Sequence, residues 1–336
     1  MAKKALITGV YGQDGSYLTD YLLKKNYTVY GVPNFKKKYN NLHFTKKKKG
    51  IIIVKLDITN YKSVFNFISK TKLDEIYHLA SLSQVALSFE KPLETIIINT
   101  LGTINILEAV RKSNLNIRFY QASSSEIFGN KTNKKINELT SFDPSSPYSI
   151  SKITSHNFVK LYREAYNVFS CSGILFNHES PLRNEKFVTK KIVKNLCKIK
   201  KGIKTTIKLG NIYSKRDWGY AGEYVKCMWK IIQQDKPDDF IIATGQSYTV
   251  KEFINFCCDY LKINIKWFKK GLNEYCLNLD NNHKIIIIDK KLYRPLDIKF
   301  SRADISKSKK VLKWSSNVNI KKLIKIMCDY ELKNYH

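Results

Sequence analysis

Acidic residues are scarce in this sequence. Its 336 residues hold 28 Asp and Glu against 59 Lys and Arg, a formal net charge of +31. A nucleic-acid or polyanion binder would gather such charge into a patch. Here lysine is spread evenly and arginine, alanine and glycine are sparse, which reads as compositional drift with some help toward anionic substrates. RNA-recognition signatures, zinc-finger spacing and basic heptads are all missing, so no nucleic-acid partner and no metal site is expected. The seven cysteines are odd in number, scattered and without a C-x-x-C, with Cys257 and Cys258 adjacent. That excludes a disulfide framework and suits reduced thiols in a cytoplasmic setting. Residues 1–10 do not form a signal peptide, and no window approaches the ~18 apolar residues of a membrane helix. The protein is expected to be soluble, with no membrane partner.

With 43% hydrophobic and 26% charged residues the composition is that of a folded globular chain. Residues 3–9 read as a short buried strand, followed by a glycine-rich turn, a helix at "SYLTDYLLKKN" and a strand at "YTVYGV". Alternation continues: strand "GIIIVKLDI", helix "SVFNFISK", strand "EIYHLA", helix "NTLGTINILEAVRKSN", strand "IRFYQASSS". Helix 148–166 and strand "FSCSGILF" extend the series. This predicts an α/β fold with a doubly wound parallel Rossmann sheet and a smaller mixed α/β C-terminal region for the substrate. The expected division is 1–180 for the nucleotide and 181–336 mainly for the substrate, with a soft boundary because the chain can return to the sheet. After residue 180 helices dominate, at "FVTKKIVKNLCKI", "GEYVKCMWKIIQQ" and "TVKEFINFCCDYL", with short strands such as "DFIIATG" between them. No repeats are present, and the lysine-rich 35–50 segment reads as a solvated loop.

In "TGVYGQDG", Gly9, Gly12 and Gly15 lie three apart between a strand and a helix. Such glycines allow a tight turn and close approach of a pyrophosphate to a helix N-terminus. The G-x-x-G-x-x-G spacing resembles the extended short-chain dehydrogenase/reductase superfamily. In "SSPYSISK", Tyr148 and Lys152 lie four apart and share a helix face. A nearby ammonium and a nicotinamide charge would lower the phenol from its usual ~10 and let it take a hydroxyl proton as hydride leaves the same carbon. Alone, Y-x-x-x-K is a common surface pair. After a dinucleotide turn it resembles the superfamily's catalytic pair.

The strand before that helix ends "YQASSSEIFGN". Ser124 matches the superfamily's Ser or Thr that hydrogen-bonds the reacting sugar. Glu126 leaves two readings open. It is a solvated or lysine-paired strand end, or it is the base of a dehydratase. Oxidising C4 of a hexose to a ketone makes the C5 proton acidic, and a carboxylate can remove it as the C6 hydroxyl leaves.

"GILFNHESPLRNEKFVTKKI" (173–192), "LGNIYSKRDWGYAGEYV", "QQDKPDDFIIATG", "YRPLDI" and "VLKW" resemble, in order, segments of the GDP-mannose 4,6-dehydratase family. The resemblance runs from residue 5 to about 330. It implies a hydro-lyase that converts GDP-mannose to GDP-4-keto-6-deoxymannose with tightly bound NADP and feeds GDP-fucose or a related deoxysugar. By resemblance the catalytic residues are Ser124, Glu126, Tyr148 and Lys152. Gly9, Gly12, Gln13, Asp14 and Gly15 face the pyrophosphate, Asp57 and Ile58 the adenine, and Leu79, Ala80, Ser81 and Ser83 the dinucleotide. Tyr148, Lys152, His178 and Arg183 complete that site. Ser83, Ser124, Glu126, Asn177, Lys191, Arg216 and Arg294 match positions near the GDP-sugar.

Some positions depart from the family pattern. Ser124 stands where threonine is usual. Asn34 and Phe35 replace paired arginines for the 2′-phosphate of NADP, with Lys36, Lys37 and Lys38 as substitutes. No acidic residue marks NAD preference either. The shortened loop there leaves dimer and tetramer both open. Glu94 replaces an aromatic, and Leu182 replaces an arginine. The competing functions are an epimerase or reductase on another nucleotide sugar, and a basic scaffold on a retired enzyme fold.

Overall fold

The computed structural model describes residues 2–34, 50–130, 135–293, 296, 298 and 300–334. Strands run in chain order β1 (Lys4–Thr8), β2 (Thr28–Val32), β3 (Ile51–Ile53), β4 (Glu75–His78), β5 (Arg118–Ser124), β6 (Ser170–Leu175), β7 (Asn177–Glu179), β8 (Ile207–Leu209), β9 (Lys215–Arg216), β10 (Trp218–Tyr220) and β11 (Phe240–Ile242). Seven of them make one parallel sheet in the order β11-β6-β5-β4-β1-β2-β3. The order reverses at β1, whose neighbours are β2 and β4. Ligands bind at such a reversal, outside the carboxyl ends of the strands.

Helices α1 (Gln13–Leu23), α2 (Tyr61–Thr71), α3 (Val85–Glu90), α4 (Pro92–Ile96), α5 (Gly102–Lys112) and α6 (Pro147–Tyr166) intervene between these strands. Ala5, Leu6 and Ile7 are fully buried because β1 is covered on both faces. Leu6 points to the layer of α2, α5 and α6, with Val64, Ile68, Ile106 and Val159. Ala5 and Ile7 point to the opposite layer, with Leu18 and Leu22 of α1 and residues 224–232 of α8 (Ala221–Ile232, following α7, Val188–Lys200). The period-two alternation of a strand produces this split.

The "DFIIATG" strand does not stay with the C-terminal region. Phe240–Ile242 pairs in parallel with β6, and Leu312 and Trp314 also join the core around β1. The C-terminal region has its own mixed sheet, β13-β14-β15-β8, from β13 (Ile265–Phe268), β14 (Tyr275–Asn278) and β15 (His283–Ile288), which follow β12 (Tyr248–Thr249). Behind it lie α7, α9 (Val250–Leu261) and, beyond α10 (Ser306–Leu312), α11 (Ile320–Asn334). All seven cysteines are free and buried, five of them in this core.

Two expectations change. "GIIIVKLDI" is a strand only over Ile51–Ile53. β3 is the edge of the sheet, and Ile52 and Ile53 are exposed. The helical stretch Pro92–Lys112 is long and apolar enough to cross a membrane by length and composition, contrary to the sequence reading. It packs on α2 and α6, which bury Ile106, Leu107 and Val110 in the core, while Leu93, Ile97 and Leu101 stay exposed.

Candidate active site

The glycine turn sits at the C-terminal end of β1. Gly9 has φ +75°, and a Cβ there would lie 3.0 Å from the Ala80 nitrogen. A Cβ on Gly15 would lie 2.5 Å from the Gly9 carbonyl oxygen. Neither position tolerates a side chain. Gly12 begins α1 without any side-chain cap, so the helix N-terminus is bare toward the cleft. That cradle fits a dinucleotide pyrophosphate.

The loop after β4 is pinned beside this turn. Thr8 Oγ1 accepts hydrogen bonds from the Leu79 and Ala80 nitrogens, both at 3.1 Å. Its own proton therefore goes to His78 Nδ1, 2.7 Å away. Burial, then the Lys152 charge, push His78 down to about 3, so the ring is neutral. Ser81 Oγ donates to Asn99 Oδ1 at 3.0 Å, and Asn99 Nδ2 donates to Ser151 Oγ of α6 at 2.9 Å. Asn99 lies in the π-helical turn Ile97–Leu101. Ser83 is exposed further along the loop. Asp57 is exposed and accepts from Thr59 N at 2.9 Å, and Ile58 is buried with its carbonyl bonded to Asn105.

A capping box fixes the start of α6. Ser149 N donates to Ser146 Oγ at 3.1 Å, and Ser146 N donates to Ser149 Oγ at 2.9 Å, with Pro147 in the first turn. This places Tyr148 at the helix mouth, facing the end of β5. Ser124 caps the 3-10 turn Ser125–Phe128, its Oγ accepting from Glu126 N at 3.3 Å. Burial pushes the Tyr148 phenol up to about 12. The Ser124 hydrogen bond works against that, and the Glu126 charge adds to it. The expected lowering by Lys152 is absent: burial dominates among the protein's own groups, and the Lys152 Nζ lies 5.8 Å from the ring centroid. Lys152 instead donates to the Ala122 carbonyl at 2.7 Å. Burial lowers it to about 8, against the pull of Asp14.

β7 brings the "NHESP" block to the same place, paired with β10 so that Asn177 faces Trp218. His178 Nδ1 lies 2.8 Å from the Phe176 carbonyl, and Nε2 lies 2.8 Å from Asp14 Oδ2. Both partners only accept, so both ring nitrogens carry protons and the ring is an imidazolium. Burial lowers its pKa, and Asp14 outweighs that to raise it. For Asp14 burial acts upward, and His178 and Arg183 outweigh it to lower the carboxyl. Arg183 Nε lies 3.2 Å from Glu179, and the guanidinium lies 3.6 Å from the Phe187 centroid.

Lys191 donates to the Lys208 carbonyl at 2.7 Å, and Arg216 to the Ile298 carbonyl at 2.5 Å. Leu182 is buried, and Glu94 is exposed and pairs with Lys91. Asn34 is exposed just after β2. Arg294, Phe35, Lys36, Lys37 and Lys38 lie outside the described residues. The sequence reading passed over Thr8, Asn99 and Ser180. Ser180 Oγ donates to Gln13 Oε1 at 2.8 Å, and Gln13 Nε2 donates to the His178 carbonyl at 3.0 Å. Among the described residues no cluster of three or more His, Cys, Asp or Glu could hold a metal ion.

The His178–Asp14 pair predicts a pH response. A raised histidine pKa gives stability that is complete below the unfolded value of ~6.5 and is lost as pH rises through the folded value. The lowered Asp14 pKa gives stability present above ~3.9 and lost as pH falls through the folded value. From pH 6 to pH 9 the thermal midpoint of the parent should therefore fall relative to that of His178→Gln. Each tenfold of extra proton affinity is worth about 1.4 kcal/mol, roughly 2 °C in a chain this long. Parallel melting curves for the two proteins would remove the ion pair.

The model of the GDP-mannose 4,6 dehydratase family matches residues 6–327. GDP-mannose 4,6 dehydratase 1 of Arabidopsis thaliana is 42% identical, over 98% of this chain and 90% of its own. The enzyme called GDP-mannose 4,6-dehydratase in Vibrio cholerae is 36% identical, over 99% and 95%. A dTDP-glucose 4,6-dehydratase of Bacillus anthracis, solved in complex with NAD, superposes with a TM-score of 0.81 at 18% identity, covering 99% of this chain and 97% of that one. That likeness concerns the fold alone. The chain belongs to the GDP-mannose 4,6-dehydratase family.

Proposed function

We propose that this chain removes water from GDP-mannose to give GDP-4-keto-6-deoxymannose, with NADP held at the glycine turn. The observation that carries this reading is the meeting of Ser124, Glu126, Tyr148 and Lys152 at the carboxyl edge of the sheet, beside that turn. An oxidised nicotinamide bound there supplies the hydride acceptor and a positive charge near the phenol. Tyr148 takes the proton of the sugar's O4 while Ser124 orients that hydroxyl. Lys152, held by the Ala122 carbonyl, keeps a positive charge behind Tyr148. Glu126 takes the C5 proton, and the C6 hydroxyl leaves as water. The C4 hydrogen returns to C6 and a solvent proton to C5, so the sugar loses one water and no net oxidation occurs.

NADP is favoured over NAD because no acidic residue closes β2. Val32, Pro33 and Asn34 stand there, and Lys36, Lys37 and Lys38 follow in sequence. Leu93, Ile97 and Leu101 along α4 to α5, with Ile150 and Leu161 on α6, are exposed, and a homodimer or homotetramer would cover them.

The test is mass spectrometry of GDP-mannose deuterated at C4, incubated with the protein and catalytic NADP or NAD. The expected product is lighter by one water and keeps the deuterium, with more product in the NADP arm. A product of unchanged mass, or one that loses deuterium to solvent, overturns the reading.

A further inference from the structure

The chain's last helix packs against α7, next to the turn that carries Arg183. Lys190 of α7 and Glu331 of α11 form an ion pair, with both side chains almost wholly buried. The same ammonium donates to the Pro181 carbonyl at 2.6 Å, and the neighbouring Tyr330 ring centroid lies 5.5 Å from it. Pro181 opens the turn that carries Arg183. Within that turn, Leu182 N donates to Ser180 Oγ at 3.1 Å and Arg183 N to the Ser180 carbonyl at 3.0 Å. Ser180 in turn donates to Gln13 in the glycine turn. Polar contacts thus run from Glu331 through Lys190 to the Pro181 carbonyl, and from Ser180, joined to Pro181 by the peptide bond, to Gln13.

A buried ion pair adds little stability beyond what a well-packed apolar pair gives, because both charges lose water. What it supplies is a fixed direction: an ammonium held by a carboxylate can present another proton only where geometry allows, here to one carbonyl. We propose that Glu331 and Lys190 are positioning residues, a latch by which the C-terminal helix sets the Pro181–Arg183 turn against the dinucleotide. This rests on the reading of that cleft as an NADP site. Thr189 supports the same geometry from the next position, its Oγ1 donating to Glu179 at 2.5 Å, and Glu179 also pairs with Arg183.

The experiment compares parent, Glu331→Gln, Lys190→Met and Lys190→Arg by calorimetric titration with NADP and by amide hydrogen exchange. Glu331→Gln and Lys190→Met should weaken NADP binding about tenfold, the scale of coupling through residues that touch neither ligand. Exchange at the Leu182 and Arg183 amides should quicken in both. Lys190→Arg should restore tight binding and slow exchange, since a guanidinium can donate to the carboxylate and the carbonyl together. At saturating NADP and GDP-mannose, turnover should stay within about twofold of the parent, as expected when binding rather than chemistry is disturbed. Should Glu331→Gln fail to fold, Glu331→Asp keeps the charge and lengthens the contact, and should show the same loss in milder form. Unchanged NADP affinity with unchanged exchange at residues 182 and 183, even with a lower melting temperature, would reduce the pair to a structural role. Binding and exchange are read without the sugar nucleotide. A parent that binds NADP but leaves GDP-mannose intact would sink the proposed dehydration and leave the latch test standing.

Discussion

Tyr148→Phe is expected to lower turnover of GDP-mannose about 10²–10⁴-fold, the usual contribution of a placed proton acceptor. The fold should survive. Phenylalanine fills the same buried volume, and the bond from the Tyr148 nitrogen to Ser88 Oγ, at 3.1 Å, belongs to the backbone. Only the phenol and its hydrogen bond with Ser124 disappear. The pH profile separates this from a packing defect. With the phenol pushed up to about 12 by burial, the fraction ionised rises with pH throughout the neutral range. Parent kcat/KM should therefore climb from pH 6 toward pH 8. Tyr148→Phe should lack the climb. A Phe variant with parent-like rate and profile would take Tyr148 out of the chemistry.

The parts of this site that the sequence displays are those built from neighbours in the chain. The glycine turn is readable because backbone sterics at Gly9 and Gly15 demand glycine within one turn. Tyr148 and Lys152 are readable because a helix places positions four apart on one face. The central strands are readable because burial on both faces leaves little polar sequence in them, as at Ala5–Ile7.

What the sequence hides lies in contacts between distant positions. His178 meets Asp14 across 164 residues, and Lys190 meets Glu331 across 141. Asn99 looks like one more polar residue in an apolar helix until the π turn directs its side chain between Ser81 and Ser151. The upward shift of Tyr148 among the protein's own groups is hidden for a related reason. Spacing reveals that a lysine is near, but the degree of burial, which outweighs it, is set by the whole fold. Likewise, whether the apolar stretch Pro92–Lys112 lies against a core depends on what covers it, and its own composition does not reveal the cover.

Glu126→Gln should cut formation of the dehydrated product by about 10²–10⁴-fold while NADP binding stays within about twofold of the parent. Glutamine matches glutamate in shape, and the backbone contact of residue 126 to Ser124 Oγ does not involve the side chain. Ser124 and Tyr148 therefore keep their places, and the lost function is proton removal alone. Deuterium oxide makes that specific. In the parent each product molecule should gain one solvent deuteron at C5, because the C5 proton leaves to Glu126 and solvent returns one. In the glutamine variant, the unreacted sugar nucleotide should show no deuterium at C5, since an amide cannot accept that proton at neutral pH. Tyr148→Phe should also leave C5 unlabelled, because without oxidation at C4 the C5 proton is not acidic. Both variants accumulate unlabelled GDP-mannose, but only one of the side chains acts on C4. The C5 step can be read alone, with the C4 step bypassed, by supplying the 4-keto sugar nucleotide that still carries its C6 hydroxyl. Tyr148→Phe should then exchange C5 and Glu126→Gln should not. Exchange at C5 in the glutamine variant at the parent's rate would assign the base to another residue and return Glu126 to the bland reading of a solvated strand end.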